Sequence, residues 1–316
     1  GDFFVPPLTK DLNITYNMSM DKKYYYSEIF YSIQGEGHYT GVPTAWIRFF
    51  LCNLQCDGFG QLNPTDPASW ELPYASYDVS QVKRVEDLPV WDKGCDSSYT
   101  WSKKYKHLMG QETPTVLANK LVDCLRTDDN PDGLFLHPTS KQKQHLCFTG
   151  GEPLMVTGQQ AVVGIYEELK RQNNLPESMT FETNGTQILR PDFKDWVSSH
   201  DTEVFFSLSP KLWTVAGEKT EKAIKPDNVA EYYELSKNGQ LKFVVGHKDE
   251  QWEELEVTVK KFRDAGVDYP VWIMPVGARE EEQSATAGEV ARKAFRRGYN
   301  VAARVHVYLF GNAIGT

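Results

Sequence analysis

Two cysteines with three residues between them, Cys52 and Cys56, lie in the run Phe49-Phe50-Leu51-Cys52-Asn53-Leu54-Gln55-Cys56. The apolar stretch before them, Thr44 to Phe50, alternates as a strand does, so the pair falls on a loop at its end. Thiolates are soft metal ligands, and the remaining cysteines, Cys95, Cys124 and Cys147, decide which metal chemistry is open. Three readings compete. Structural zinc would use four of the five, but zinc knuckles favour a two-residue gap, and a closed four-thiolate site gives no use to the glycine-rich segments farther on. Plain packing suits Cys147 in an apolar strand and Cys124 on the apolar side of a helix, and suits a loop pair flanked by Asn53 and Asp57 less well. In the third reading Cys52, Cys56 and Cys95 hold three irons of a 4Fe–4S cluster and leave the fourth iron open to a small ligand. A closely spaced third cysteine would fall at position 59, which is Phe59, so Cys95 reaches the site after residues 57–94 loop out. Loop length is a weak obstacle, about 0.6 kcal/mol per doubling.

Further polar signatures end apolar runs: Thr149-Gly150-Gly151-Glu152-Pro153, Glu182-Thr183-Asn184-Gly185-Thr186, Ser207-Leu208-Ser209-Pro210-Lys211 and Met274-Pro275-Val276-Gly277. Each alone is ordinary turn chemistry. Four on the same rim are a different matter, since in a parallel barrel that rim is where a ligand sits. Earlier, Gln34-Gly35-Glu36-Gly37 sets an amide and a carboxylate beside two flexible glycines, a hairpin turn or a loop that wraps a polar heterocycle. Arg48 lies within the strand before the cysteines, on a solvated face or paired with a ligand carboxylate.

Strands are expected at Thr44 to Phe50, His145 to Thr149, Met179 to Thr183, Val204 to Leu208, Gln240 to Val245, Val271 to Pro275 and Ala303 to Leu309. A shorter strand runs from Glu28 towards the Gln34 turn. Helical patterns alternate with them at Thr113 to Thr127, Gly158 to Gln172, Pro191 to Ser199, Asn228 to Ser236, Asp249 to Ala265 and Thr286 to Gly298. Such alternation argues for an α/β fold, a parallel sheet or a barrel, and the form expected of this chain is an incomplete TIM-like barrel of parallel strands. Residues 1–25 read as an N-terminal arm, and 26–316 as one domain with insertions at about 57–94 and 102–144.

The 316 residues, 40% of them hydrophobic, suffice for a large core. A net charge of −9 argues against long nucleic acid as a direct partner. No run approaches the ~20 apolar residues of a membrane span. The first residues lack the basic-then-apolar build of a signal peptide, and the odd cysteine set reads as reduced, so a cytoplasmic chain is expected.

Ile29-Phe30-Tyr31-Ser32-Ile33-Gln34-Gly35-Glu36-Gly37, Gly41-Val42-Pro43, Ile47-Arg48-Phe49 and the Cys52 to Cys56 run resemble the opening of the 7-carboxy-7-deazaguanine synthase family, radical S-adenosylmethionine enzymes of the 7-deazapurine pathway. Cys95-Asp96-Ser97-Ser98-Tyr99-Thr100-Trp101 resembles the family's Cys-Asp-Thr-x-Tyr-x-Trp segment, which normally follows the second cysteine almost at once. The Gly150, Glu182 and Ser209 segments match in order, and the resemblance runs from about residue 26 to the C-terminus. The departures are the split cysteine motif, Ser97 in place of Thr, the N-terminal arm and the two insertions. Such a layout is similar to what a viral or otherwise divergent branch would carry.

The resemblance implies a 4Fe–4S cluster on Cys52, Cys56 and Cys95, with S-adenosylmethionine on the open iron and a flavodoxin-like or ferredoxin-like electron donor. The resulting 5′-deoxyadenosyl radical would take hydrogen from 6-carboxy-5,6,7,8-tetrahydropterin, which contracts its ring and loses ammonia to give 7-carboxy-7-deazaguanine. Gly150, Gly151, Glu152 and Asp96 would meet S-adenosylmethionine, Ser209, Pro210 and Lys211 its nucleoside, and Met274 and Pro275 its adenine. Ile33, Gln34, Gly35, Arg48, Thr149 and the carboxylate of Thr316 would hold the pterin, Arg48 by its carboxylate. Glu36 would bind or move protons, and Ser97 would give its hydroxyl to Mg2+. A homodimer is implied as well. The enzymatic alternative is another radical S-adenosylmethionine reaction, such as glycyl-radical activation. The non-enzymatic one is a cluster- or zinc-holding regulator.

Overall fold

The computed structural model describes residues 21–311 and 313–315, so residues 1–20 of the expected arm and Thr316 lie outside the described residues. Among the described residues nine strands form one sheet: β1 (Tyr24–Ile33), β2 (Pro43–Phe49), β3 (Gly110–Glu112), β4 (His145–Gly150), β5 (Ser178–Thr183), β6 (Glu203–Leu208), β7 (Gly239–Val245), β8 (Val271–Pro275) and β9 (Asn300–Val301). Their order is β3-β1-β2-β4-β5-β6-β7-β8-β9. β1 runs antiparallel to both its neighbours, and every pair from β2 to β9 is parallel. The sheet curls without closing, and the fold is a partial barrel.

Helices α1 (Pro73–Ser76), α2 (Pro114–Cys124), α3 (Val156–Arg171), α4 (Pro191–Val197), α5 (Trp213–Ala216), α6 (Thr220–Ala223), α7 (Pro226–Leu235), α8 (Asp249–Asp264), α9 (Glu280–Phe295) and α10 (Val305–Phe310) fill the connections. Their apolar stripes explain why they stay on the outside of the sheet. In α8, Trp252, Leu255, Val259 and Phe262 recur at helical spacing and are all buried. In α2, Thr113 caps the first turn by accepting from the Val116 N–H, and Pro114 occupies the first helical position. No helix among the described residues is long and apolar enough to cross a membrane.

The period of two along each strand separates core from site. Ile47 and Phe49, Leu146 and Phe148, Met179 and Phe181, Phe206 and Leu208, and Leu241 and Phe243 point into the main core. The residues between them, Trp46 and Arg48, Thr149, Glu182, Ser207 and Lys242, line a single cavity. Polar residues therefore run across the sheet in register. Glu28 faces Arg48, Arg48 faces Thr149, Glu182 faces Ser207, and Ser207 faces Gln240. A bond from Thr149 Oγ1 to Glu182 (3.3 Å) joins the two halves of the row.

Strands β2 and β4 to β8 fall within a residue or so of the sequence expectation, and α9 begins six residues earlier than Thr286. β1 reaches back to Tyr24, inside the expected arm, where Tyr24 to Tyr26 pair with β3. The expected strand at Ala303 to Leu309 is not one. Strand pairing ends at Val301, and Val305 to Phe310 are helical. Alternating valines suggested a strand, but the chain leaves the sheet there because the Val305 N–H bonds to the Gly35 carbonyl (2.9 Å) across the cavity mouth. The 102–144 stretch contains α2, which supplies the crossover that a parallel β2–β4 pair requires. Residues 57–94 form short helical turns around a second apolar cluster of Tyr74, Val85, Leu88 and Trp91, which Tyr99 and Tyr105 complete.

Candidate active site

The cavity has a volume of about 650 Å³ and opens at the carboxyl ends of the parallel strands. Cys52, Cys56 and Cys95 all line it, although the last comes from beyond the 57–94 stretch. Cys124 and Cys147 do not; Cys147 is buried in β4 and Cys124 lies at the end of α2. Among the described residues no three His, Cys, Asp or Glu side chains converge closely enough to hold a single metal ion.

The cysteine loop is tightly held. Leu51 (φ 97°) and Cys56 (φ 56°) bracket it, both in the left-handed region that side chains avoid. Such strain persists only where neighbours over-determine the backbone. Here the Leu51 N–H bonds to the Thr100 carbonyl (2.7 Å), and the Leu51 carbonyl accepts from the Glu152 N–H (2.8 Å). A Cβ on Gly151 would sit 2.0 Å from the Leu51 carbonyl oxygen, so only glycine lets the turn after β4 approach the loop. Burial pushes the Cys52 thiol up to about 12 and raises those of Cys56 and Cys95, while Lys211 opposes the shift at Cys52 and Cys56. Three thiols, Cys56 buried and Cys52 and Cys95 partly so, beside the Gly150-Gly151 turn fit a thiolate-bound cluster, whose irons would supply the positive charge that stabilises the thiolates.

The other expected cofactor residues fall into two groups. Gly150, Gly151, Asp96, Ser209, Lys211, Met274 and Pro275 line the cavity. Glu152 and Pro210 do not. Glu152 accepts from the Leu154 N–H (2.9 Å), the Thr183 hydroxyl (2.7 Å) and the Asn184 N–H (2.8 Å). Its carboxylate thus ties the turn after β4 to the turn after β5. Lys211 donates to Ser209 (2.8 Å) and lies over the Phe59 ring.

The opposite wall is a charged network. Glu36 accepts from Lys242 and from Arg304 Nε (2.9 Å), and Arg304 Nη2 bonds to Asp96 (3.0 Å). Gln34 donates to Glu182 (3.2 Å), which also lies 3.8 Å from Lys242. Burial alone would raise the Glu36 carboxyl, but Lys242, Arg304 and His306 together hold it well below the usual carboxylate range. Asp96 is likewise lowered, with Arg304 and Arg48 outweighing burial. Arg48 pairs with Glu28 (3.0 Å) and donates to the Gly150 carbonyl (3.3 Å), while Tyr99 donates to the same Glu28. Ser97 lines the cavity with its Oγ 3.5 Å from the Cys95 sulfur.

Ile33, Gln34, Gly35, Glu36, Arg48 and Thr149 are therefore gathered on the cavity wall as the sequence grouped them. Sequence reasoning missed Glu28, Lys242, Arg304 and His306, and it noted Glu182 only as part of a turn. One signal was available for Lys242. A lysine between Leu241 and Phe243 in a strand covered on both faces must have a buried partner. Arg304 and His306 were hidden by the false strand at the C-terminus.

Fold and site together define a class: a partial parallel α/β barrel with a thiol-bearing cavity at the carboxyl ends of its strands. The curated relatives that this chain resembles include proteins that carry the name of the family its motifs resemble. The protein is 26% identical over 303 residues to the 7-carboxy-7-deazaguanine synthase of Rhodopirellula baltica, covering 92% of this chain and 88% of the relative. It is 27% identical over 296 residues to that of Halobacterium salinarum, covering 91% and 90%. Among solved structures, QueE from Escherichia coli aligns at 17% identity with a TM-score of 0.49, over 90% of this chain and 95% of that one. No family model matches the chain.

Proposed function

We propose that this protein is a 7-carboxy-7-deazaguanine synthase, a radical S-adenosylmethionine lyase that converts 6-carboxy-5,6,7,8-tetrahydropterin to 7-carboxy-7-deazaguanine and ammonia. One observation carries the reading. Cys52, Cys56 and Cys95, from two distant stretches, line the same cavity as the charged network of Glu36, Asp96, Lys242 and Arg304. A 4Fe–4S cluster on the three thiolates, with S-adenosylmethionine, supplies the one-electron cleavage that starts such a reaction.

The chain's own groups do the rest. Gly150 and Gly151 let backbone approach the amino acid part of S-adenosylmethionine, and Glu152 acts by holding that turn in place. Ser209, Lys211, Met274 and Pro275 flank the nucleoside. Gln34 and Glu182 offer an amide and a carboxylate to the alternating donors and acceptors of a pterin edge. Arg48, which lines the cavity, offers its guanidinium to a substrate carboxylate in competition with Glu28, while Lys242 and Arg304 are engaged by Glu36 beside it. Glu36 stays ionised between Lys242 and Arg304 and acts by charge and position, orienting both cations at the cavity wall, and not by taking up a proton. Ser97, at the cavity wall, would offer its hydroxyl to Mg2+. A flavodoxin-like or ferredoxin-like donor, a homodimer, a cytoplasmic setting and a queuosine-type pathway belong to the same proposal.

The test is anaerobic turnover of the reconstituted protein with S-adenosylmethionine, dithionite, Mg2+ and 6-carboxytetrahydropterin, followed by mass spectrometry. Formation of 7-carboxy-7-deazaguanine supports the reading. 5′-Deoxyadenosine without that product would keep the radical enzyme and move its substrate elsewhere. Failure to cleave S-adenosylmethionine would favour a regulator that kept the fold.

A further inference from the structure

The cysteine loop has a second support, on a segment that does not line the cavity. Glu218 lies in the link between α5 and α6 and is 6% exposed. Its Oε1 accepts from two consecutive backbone N–H groups, those of Gln55 (2.6 Å) and Cys56 (2.8 Å). Its other oxygen accepts from Lys222 (3.2 Å). Next to it the Gly58 N–H bonds to the Ala216 carbonyl (3.0 Å). A Cβ on Gly58 would lie 2.5 Å from the Gly217 nitrogen, so the two backbones are in direct contact.

Two neighbouring N–H groups aimed at one oxygen form a concave anion-binding turn, and the anion here is built into the protein. It sits where Cys56 adopts its strained left-handed backbone, so the bonds and the strain act on the same residue. The arrangement also has an electrostatic consequence. N–H groups that point at cluster sulfurs raise the reduction potential, and nearby negative charge lowers it. Glu218 draws two such N–H groups to itself and places its own charge beside the Cys56 backbone.

We infer that Glu218 is a positioning residue that holds the Gln55–Cys56 backbone in ligand-ready form before any cluster binds and shifts the bound cluster to a more negative potential. The second half rests on the cluster reading above; the first half does not. A more negative cluster is a stronger reductant, which is what one-electron cleavage of a sulfonium demands.

The experiment compares wild type, Glu218→Gln and Glu218→Ala in two forms. In the metal-free protein, iodoacetamide labelling of Cys56 is timed by mass spectrometry. Glu218→Ala is expected to label about ten-fold faster, and Glu218→Gln, which keeps the acceptor oxygen, near the wild-type rate. In the reconstituted protein, iron and sulfide are counted and the midpoint potential is read by an electron-paramagnetic-resonance titration. Glu218→Gln should keep its iron and move to a less negative potential, while Glu218→Ala should lose iron. Wild-type labelling in Glu218→Ala overturns the positioning role. An unshifted potential in Glu218→Gln overturns the electrostatic one. Should Glu218→Ala fail to fold by circular dichroism, the potential of Glu218→Gln still decides. A wild-type protein that takes up no iron and sulfide sinks the cluster reading and leaves the labelling result standing.

Discussion

At the scale of single residues, the site depends on charges that compensate one another out of water. Lys242 is 6% exposed and faces both Glu36 and Glu182. Removing one member of a buried pair leaves the other uncompensated, at a cost of about 3–5 kcal/mol. Lys242→Met is expected to lower stability by that order in urea denaturation, and Lys242→Arg by less. Glu36 gives a pH-dependent counterpart. Its ordinary value is 4.5, and the folded protein holds it lower through Lys242 and Arg304, with His306 adding to them. A carboxyl lowered on folding contributes stability that is fully present above its unfolded value and fades as pH falls below it. Glu36→Gln should therefore cost more at pH 7 than at pH 4, as measured by denaturation at both; an equal loss would contradict the assignment. The cysteines and the Gln34–Glu36 turn were legible in the sequence because their chemistry is carried by residue type and spacing. Lys242 left a fainter signal, because a lone lysine between apolar strand residues reads as a solvated face unless the sheet is taken to be covered on both sides.

At the scale of elements, most strands were legible because β-branched and aromatic residues alternate between core and cavity, and a period of two survives without tertiary information. The C-terminal stretch was not, for the same reason. Val305 and Val307 imitate a strand, and only the bond from Val305 to Gly35 shows that the chain has turned away. The turn after β4 makes the sharpest demand on a single element. At Gly151 a methyl group would collide with the Leu51 carbonyl at 2.0 Å. Gly151→Ala should push the cysteine loop out of place, cost about 1–3 kcal/mol and impair iron uptake. Normal stability and normal iron content in that variant would show that the loop has more freedom than its contacts suggest.

At the scale of the whole molecule, residues 57–94 leave and return to the cavity between Cys56 and Cys95 and form part of its wall. Phe59, Gly60 and the Pro89 to Gly94 run line it. The regular structure of residues 57–94 is limited to short turns such as α1, so side-chain packing anchors the stretch. Trp91, Tyr74, Val85 and Leu88 pack with Tyr99 and Tyr105 into a core of their own. No sequence period reveals this, because short helical turns have no repeating apolar face. Trp91→Ala removes the largest side chain of that core, a deletion of a kind that costs about 3–5 kcal/mol. The expected outcome is proteolytic cleavage within 57–94 while the barrel stays intact, together with faster alkylation of Cys95. Cleavage elsewhere would place the weak point in the barrel.

The most direct measurement compares wild type, Cys95→Ala and Cys124→Ala in anaerobic turnover of 6-carboxytetrahydropterin, with iron counted in each. The account predicts 7-carboxy-7-deazaguanine from wild type and from Cys124→Ala, and neither product nor a full iron complement from Cys95→Ala. Product from Cys95→Ala at the wild-type rate would contradict the claim that one cluster motif is split across the insertion.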